Sequence, residues 1–262
     1  MITTYHKGVA ICAQKVRICL AEKNVPWESK LPDVRDPQYL KPNPNGYVLT
    51  LVHDGRVIVE SRIISEYIDA AFAGPQLLPE DPYDRARVAL WTKQIDGSLH
   101  LNVFTLTFFS GLNSRILKRT PEEIEKIFPF EMTKRDRAYD MIKKGVDSKF
   151  IGIAVRRLAR LTEDMDRALT GSTWLVGETY SLADADLTPY LQRIIDLGLD
   201  SLLDGKFNLQ RWFEQLKERP SFVAVNQKWV APDVLGSKPI NYHSRLKLAR
   251  AYPDHAKELK SL

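Results

Sequence analysis

The sequence predicts a small α/β domain followed by an all-helical one. Three observations carry this reading. Strand-like and helix-like patterns alternate over roughly the first 80 residues. A proline-rich stretch, "GPQLLPEDPYD", then interrupts them, and helical periodicity runs almost unbroken afterwards.

The β-branched and aromatic run from Ile2 to Tyr5 is the first strand. A helix is expected from Cys12 to Lys23, with Val16, Cys19 and Leu20 on one face and Lys15, Glu22 and Lys23 off it. Trp27 to Leu31 is a second strand. The prolines of "RDPQYLKPNPNG" rule out a long helix there. In "YVLTLVHDGRVIVES" two β-rich runs flank Asp54-Gly55, which predicts a tight hairpin. Ser61 is expected to cap the helix of "SRIISEYIDAAF", whose Ile64, Tyr67, Ile68 and Ala71 form a stripe. The order is β-α-β-(short α)-β-β-α.

Beyond the linker a long helix is expected from Asp84 to about Leu112, with Val88, Trp91, Ile95 and Leu99 along one side. Thr120-Pro-Glu-Glu reads as a capped start with proline at the first helical position. Another helix runs from Gly152 to Leu169. "SLADADLTPYLQRIIDLGL" opens on Ser181-x-x-Asp184, which resembles a capping box, and "NLQRWFEQLKERPSF" is helical up to Pro220. The polar residues 231–262 read as an extension. The expected domains are therefore 1–74, 84–230 and 231–262.

Composition narrows the function classes. The 38 basic residues exceed the 33 acidic ones by only five, and runs such as Lys134-Arg135-Asp136-Arg137 are broken by acids. No nucleic-acid partner is expected from so dispersed a charge. No apolar run reaches the ~18 residues of a membrane span, so no membrane partner is expected. The first residues lack a signal-peptide pattern, and two cysteines seven apart suit a reducing compartment. A cytoplasmic location is expected. The cysteines and five histidines lack metal-ligand spacing, and there is no P-loop or dinucleotide fingerprint.

With the elements in place, "NPNGYVLTLVHDGRVIVESRIISEYI" resembles the glutathione-binding half of the glutathione transferase superfamily, N-P-x-G-x-V-P-x-L-x-D-G-x-x-x-x-E-S-x-x-I-x-x-Y. "WLVGETYSLADADLTPYL" resembles its C-terminal folding motif, G-x-x-x-S-x-A-D, and the resemblance covers about residues 1–230. "DPYDRARVALWTKQID" and the insertion after it are similar to bacterial glutathione-dependent lignin β-etherases. "YHKGVAICAQKVRICLAEKNV" is similar to tetrachlorohydroquinone dehalogenases, in which a cysteine stands at the position of Cys12. The resemblance implies a thioredoxin-like N-terminal domain, glutathione as co-substrate and a homodimer. It also implies attack of the glutathione thiolate on a small aromatic substrate.

The same resemblance assigns candidate roles. Ser61 would take the γ-glutamyl carboxylate at a helix N-terminus and Glu60 the amine. Val48 would present its N–H and C=O to the cysteinyl part, as an added strand does. The family has a cis-proline where this chain has Leu49. A cis bond before a non-proline residue costs about 2.5–4 kcal/mol, so Leu49 is expected to be trans and the grip weaker. Lys41, Asn43 and Tyr47 are expected at the glycyl end. Asp96 matches a position that reaches the other subunit's γ-glutamyl amine in many dimeric relatives.

Most members activate the thiol with a Ser or Tyr hydroxyl, but no Ser, Thr or Tyr lies between His6 and Val16, and Tyr5 is expected to face the core. That leaves Cys12 at the start of the first helix, where the dipole is expected to lower its pKa, with His6 and Lys7 as electrostatic helpers. A buried, inert Cys12 is the alternative, and Cys19 belongs to the core. Val103, Phe104, Leu106, Phe108, Phe109 and Trp91 line either an aromatic pocket or a helical core. Asp184 and Asp186 are expected to serve the helical domain. Ether cleavage, reductive dehalogenation through Cys12, and a non-catalytic glutathione-transferase-like binding protein all remain open.

Overall fold

The computed structural model describes residues 1–229 except 9, 34, 35, 42, 45, 47, 108–118, 129 and 130. Strands β1 (Ile2–Tyr5), β2 (Trp27–Lys30), β3 (Thr50–His53) and β4 (Arg56–Val59) form one sheet in the order β2-β1-β3-β4. β1 and β2 are parallel and are joined through α1 (Ile11–Glu22). β3 runs antiparallel to both β1 and β4. Asp54 and Gly55 have φ of 47° and 79°, the two positive angles that a tight hairpin turn requires, so the predicted hairpin forms where its residues tolerate them. The short α2 (Pro37–Leu40) and α3 (Ser61–Ala71) complete the β-α-β-α-β-β-α order of a thioredoxin-like domain.

Helix α1 differs from the expected half-exposed helix. Ile11 and every residue from Ala13 to Leu20 are buried, including Lys15 and Arg17. Its apolar residues fall on all sides, and a helix of that kind is covered all round. It packs against α3 and against α11 (Pro220–Trp229). Lys23, just past its end, is buried too. Its ammonium donates to the Asp69 carboxylate and to the carbonyls of Asp69 and Pro75 at 3.0–3.1 Å. Asp69 in turn accepts from the N–H groups of Leu77 and Leu78, which ties the start of the linker to α3. Glu22, off the predicted apolar face, accepts two bonds from Arg219 at 2.8 and 2.7 Å.

The chain divides into two compact units. Unit 1 comprises Met1–Lys93, Ala168–Leu191 and the stretch that begins at Gln210; among the described residues unit 2 comprises Gln94–Arg167 and Gln192–Leu209. The long helix expected after the linker is built in three parts: α4 (Pro82–Gln94), a π-helical turn (Ile95–Leu99) and α5 (His100–Thr107). Gly97, a poor helix former, lies inside the π turn, a kind of single-turn bulge. Residues 108–112 of the expected helix lie outside the described residues.

α6 (Pro121–Ile127) has the predicted capping box: Thr120 accepts from the Glu123 N–H, and Glu123 accepts from the Thr120 N–H. α7 (Met132–Lys144) and α8 (Lys149–Ala168) follow. The stripe Ile151, Ala154, Val155, Leu158, Leu161 and Met165 of α8 is fully buried. Arg137 donates to Asn102 Oδ1 and Thr105 Oγ1, and Arg157 to Ser98 Oγ and Gln94 Oε1, so polar positions in unit 2 also face inward. α9 (Leu182–Asp196) begins at the Ser181–Asp184 cap, and α10 (Phe207–Lys217) ends before Pro220. Pro220 does more than stop a helix: it occupies the first position of α11.

Candidate functional site

The loop after β1 leads into α1, and Cys12 is the second residue of that helix. Cys12 is partly exposed, and its thiol donates to the carbonyl oxygen of Val48 at 3.3 Å. The segment carrying Val48 is fixed from behind by buried polar groups. Tyr39 OH lies 3.0 Å from Thr50 Oγ1, and the Asn43 amide donates to Thr50 Oγ1 at 2.9 Å. Asn43 is thus committed to holding the loop and not to the glycyl end. No peptide bond among the described residues is cis, and the Leu49 side chain is buried in the core.

The thiol's ionisation runs against the sequence-based expectation. Burial raises the Cys12 pKa above its ordinary value, although Lys15, its own and the Ala13 N–H, and Arg17 act in the opposite direction. A helix dipole acts only over the first turn, and desolvation at this packed position outweighs it. Cys19 is fully buried on the same helix, and burial raises its thiol as well, in keeping with a core residue.

His6 is not an exposed helper. It is 2% exposed, and burial beside Arg17 lowers its pKa to about 4. Arg17 Nη1 donates to His6 Nδ1 at 3.1 Å, so the neutral ring carries its proton on Nε2, 2.8 Å from Ser29 Oγ. Arg17 Nη2 also donates to the Gly8 carbonyl at 2.7 Å, which pins the loop in front of Cys12. Lys7 is exposed, and Tyr5 is half-buried with its ring 5.6 Å from that of Tyr39.

At the other end, Glu60 is exposed at φ 70° and ψ 114°, a left-handed-side conformation uncommon outside glycine. Ser61 is the first residue of α3 and not its cap, because Glu60 holds the cap position without a side-chain capping bond. The first N–H groups of such a helix have no intrahelical partners and form an anion-binding end. The Ser61 hydroxyl accepts from Lys15 Nζ at 3.3 Å. The same ammonium is 3.2 Å from Asp186 Oδ2, and both side chains are 1% exposed. Asp186, expected to serve the helical domain, pairs with Lys15 of α1 inside unit 1. Asp184 accepts from the N–H and hydroxyl of Ser181, the Leu175 N–H and Trp212 Nε1, as a structural cap should.

Unit 1 therefore brings together Cys12, Val48, Ser61 and, unforeseen in the sequence, Lys15 and Arg17. The signal for the last two was present: charges embedded in a helix apolar on every side must be buried with partners. Lys41 and Glu60 are exposed on the same unit, whereas Asp96 is exposed in unit 2. Tyr47, Phe108, Phe109 and the extension 231–262 lie outside the described residues. Val103 and Leu106 are fully buried core residues, and Phe104 packs edge-on against Phe128.

The chain is similar to known proteins. The glutathione S-transferase N-terminal domain family matches residues 7–76, and the glutathione S-transferase C-terminal domain family matches residues 132–220. Protein LigF of Sphingobium sp. (strain NBRC 103272 / SYK-6) is 28% identical over 250 residues, 90% of each chain. The crystal structure of beta-etherase LigF superposes with a TM-score of 0.74 at 24% identity, covering 87% of this chain and 99% of that one. The tetrachloro-p-hydroquinone reductive dehalogenase of Sphingobium chlorophenolicum is 26% identical over 238 residues, 84% of this chain and 94% of its own. Glutathione transferase F7 of Populus trichocarpa has a TM-score of 0.69 at 22% identity, over 88% and 100% of the two chains.

Proposed function

Since the chain belongs to the glutathione transferase family, whose members use glutathione as co-substrate, we propose that it is an enzyme of the β-aryl ether-cleaving type. Bound glutathione would supply the nucleophilic sulfur, which attacks an electrophilic carbon of the aromatic substrate and expels a phenolate or halide. The α3 N-terminus with Ser61 holds the γ-glutamyl carboxylate, Glu60 the amine, and the Val48 backbone the cysteinyl part. Lys41 and Tyr47 take the glycyl end, Leu49 follows Val48 in the chain, and Asp96 reaches the γ-glutamyl amine of the other subunit. The observation that carries this reading is the 3.3 Å contact between Cys12 Sγ and Val48 O, which supports a thiol beside the backbone proposed to bind the cysteinyl part.

The aromatic substrate is argued from the printed activities of the β-etherase and dehalogenase relatives. A homodimer is argued from the family, whose members are generally dimeric. Two free thiols suit the cytoplasm.

The same contact favours a second reading, reductive removal of halide. There the Cys12 thiolate attacks the glutathionyl sulfur of the aryl adduct, forming a mixed disulfide as the aryl carbon takes a proton. A third reading, binding without catalysis, draws on Leu49 and on the raised thiol. Retention on immobilised glutathione, with turnover of a β-aryl ether and of a halohydroquinone, separates the three. Retention with ether turnover that is lowered but not abolished in Cys12→Ala is expected, since in simple substitution Cys12 only polarises the glutathione thiol. Halohydroquinone turnover lost in Cys12→Ala supports the second reading, and retention without turnover the third. Neither retention nor turnover sinks the glutathione site.

A further inference from the structure

Lys15 is a buried cation that the proposed chemistry does not yet employ. Its ammonium and the Asp186 carboxylate are each 1% exposed and 3.2 Å apart. Taking two charges out of water is unfavourable, and an apolar pair of similar volume often packs as stably. Packing alone therefore gives no reason for the pair. Its position does. Lys15 Nζ donates to Ser61 Oγ at 3.3 Å, and Lys15 follows Cys12 by three residues on α1, where side chains are neighbours.

Resting on the glutathione site proposed above, we propose that Lys15 is a positioning residue serving both ends of that site. By donating to Ser61 Oγ it occupies a lone pair of the hydroxyl, so the hydroxyl proton turns outward to the γ-glutamyl carboxylate. Its charge also lies within reach of the thiol position at the start of α1. Asp186, from α9, holds the ammonium between the two. The groups that act on Cys12 are Lys15 and Arg17 of its own helix, and Arg17 is in turn met by His6 from the end of β1. The Lys15 ammonium faces Asp186 and Ser61, and Cys19 on the same helix senses Lys15, Asp186 and Asp69 of α3.

The test uses Lys15→Met and Lys15→Arg with two readouts: the Kd for S-methylglutathione by calorimetry, and the pH profile of iodoacetamide alkylation. Cys19 is fully buried, so alkylation of the folded protein reports Cys12. Lys15→Met is expected to raise Kd about tenfold, the loss of one charge-assisted bond, and to move the alkylation profile to higher pH. Lys15→Arg is expected to keep both near wild type. If Lys15→Met alone does not fold, Lys15→Met/Asp186→Leu removes both charges and leaves neither stranded; the same losses are expected of it. A folded variant without Lys15 that keeps the wild-type Kd and profile overturns the proposal. Wild-type protein that fails to bind S-methylglutathione overturns the site itself, a result separate from any difference between variants.

Discussion

Cys12 and His6 show how burial decides ionisation at single residues. Both sit where sequence reasoning expects charge-assisted chemistry, and both are held toward their neutral forms by desolvation. For His6 the consequence is measurable. Above pH 6.5 neither the folded nor the unfolded chain protonates this ring. As pH falls below 6.5 the unfolded chain takes up a proton that the folded one refuses until about pH 4. Stability is therefore fully present above pH 6.5 and is lost on descending to pH 4, by up to about 3 kcal/mol. Urea unfolding at a series of pH values should show this slope in wild type and a flatter one in His6→Gln. An unchanged slope would mean that His6 protonates in the folded state as it does in water.

At the scale of elements, caps and turns carry the framework that presents the site. The hairpin at Asp54-Gly55 sets the register of β3 against β4, and so the position of the segment holding Val48. The cap of α9 binds several pieces of unit 1 at one buried carboxylate. Asp184→Ala would leave the Ser181 and Leu175 N–H groups, the Ser181 hydroxyl and Trp212 Nε1 without their acceptor. Each buried donor stranded in this way costs about 1–3 kcal/mol, so a loss of about 3 kcal/mol or more is expected. Thermal denaturation followed by tryptophan fluorescence reads it, and a Tm within a degree of wild type would refute the assignment.

For the whole molecule, ligand binding and stability are linked. A ligand that binds only the folded chain adds about 2.7 kcal/mol at one hundred times its Kd. In a chain of this size that corresponds to a rise in Tm of about 5–10 °C. S-methylglutathione, which lacks a free thiol, is expected to produce that rise and so tests binding apart from chemistry. No shift at millimolar ligand would indicate that the trans Val48–Leu49 segment no longer grips glutathione. The buried Lys15–Asp186 pair is part of the same linkage. Removing one partner leaves the other charged in a dry environment, which typically costs about 3–5 kcal/mol.

The features legible in the sequence depend on local chemistry. Asp54-Gly55 specifies its turn because few residues accept positive φ, and Thr120-Pro-Glu-Glu caps its helix with atoms three residues apart. The strand and helix order follows from periodicities of two and 3.6, and "NPNGYVLTLVHDGRVIVES" carries the family in its side chains. What the sequence left open depends on how many sides of an element are covered. Periodicity places apolar residues on all sides of α1, but it cannot tell that Lys15 meets Ser61 of α3 and Asp186 of α9, or that Arg17 meets His6 and Gly8. Nor does it tell that Asp186, 171 residues further along the chain, supplies the counter-charge. The direction of the Cys12 shift followed from the same cause. A dipole is a property of one helix, whereas desolvation is set by everything packed around it.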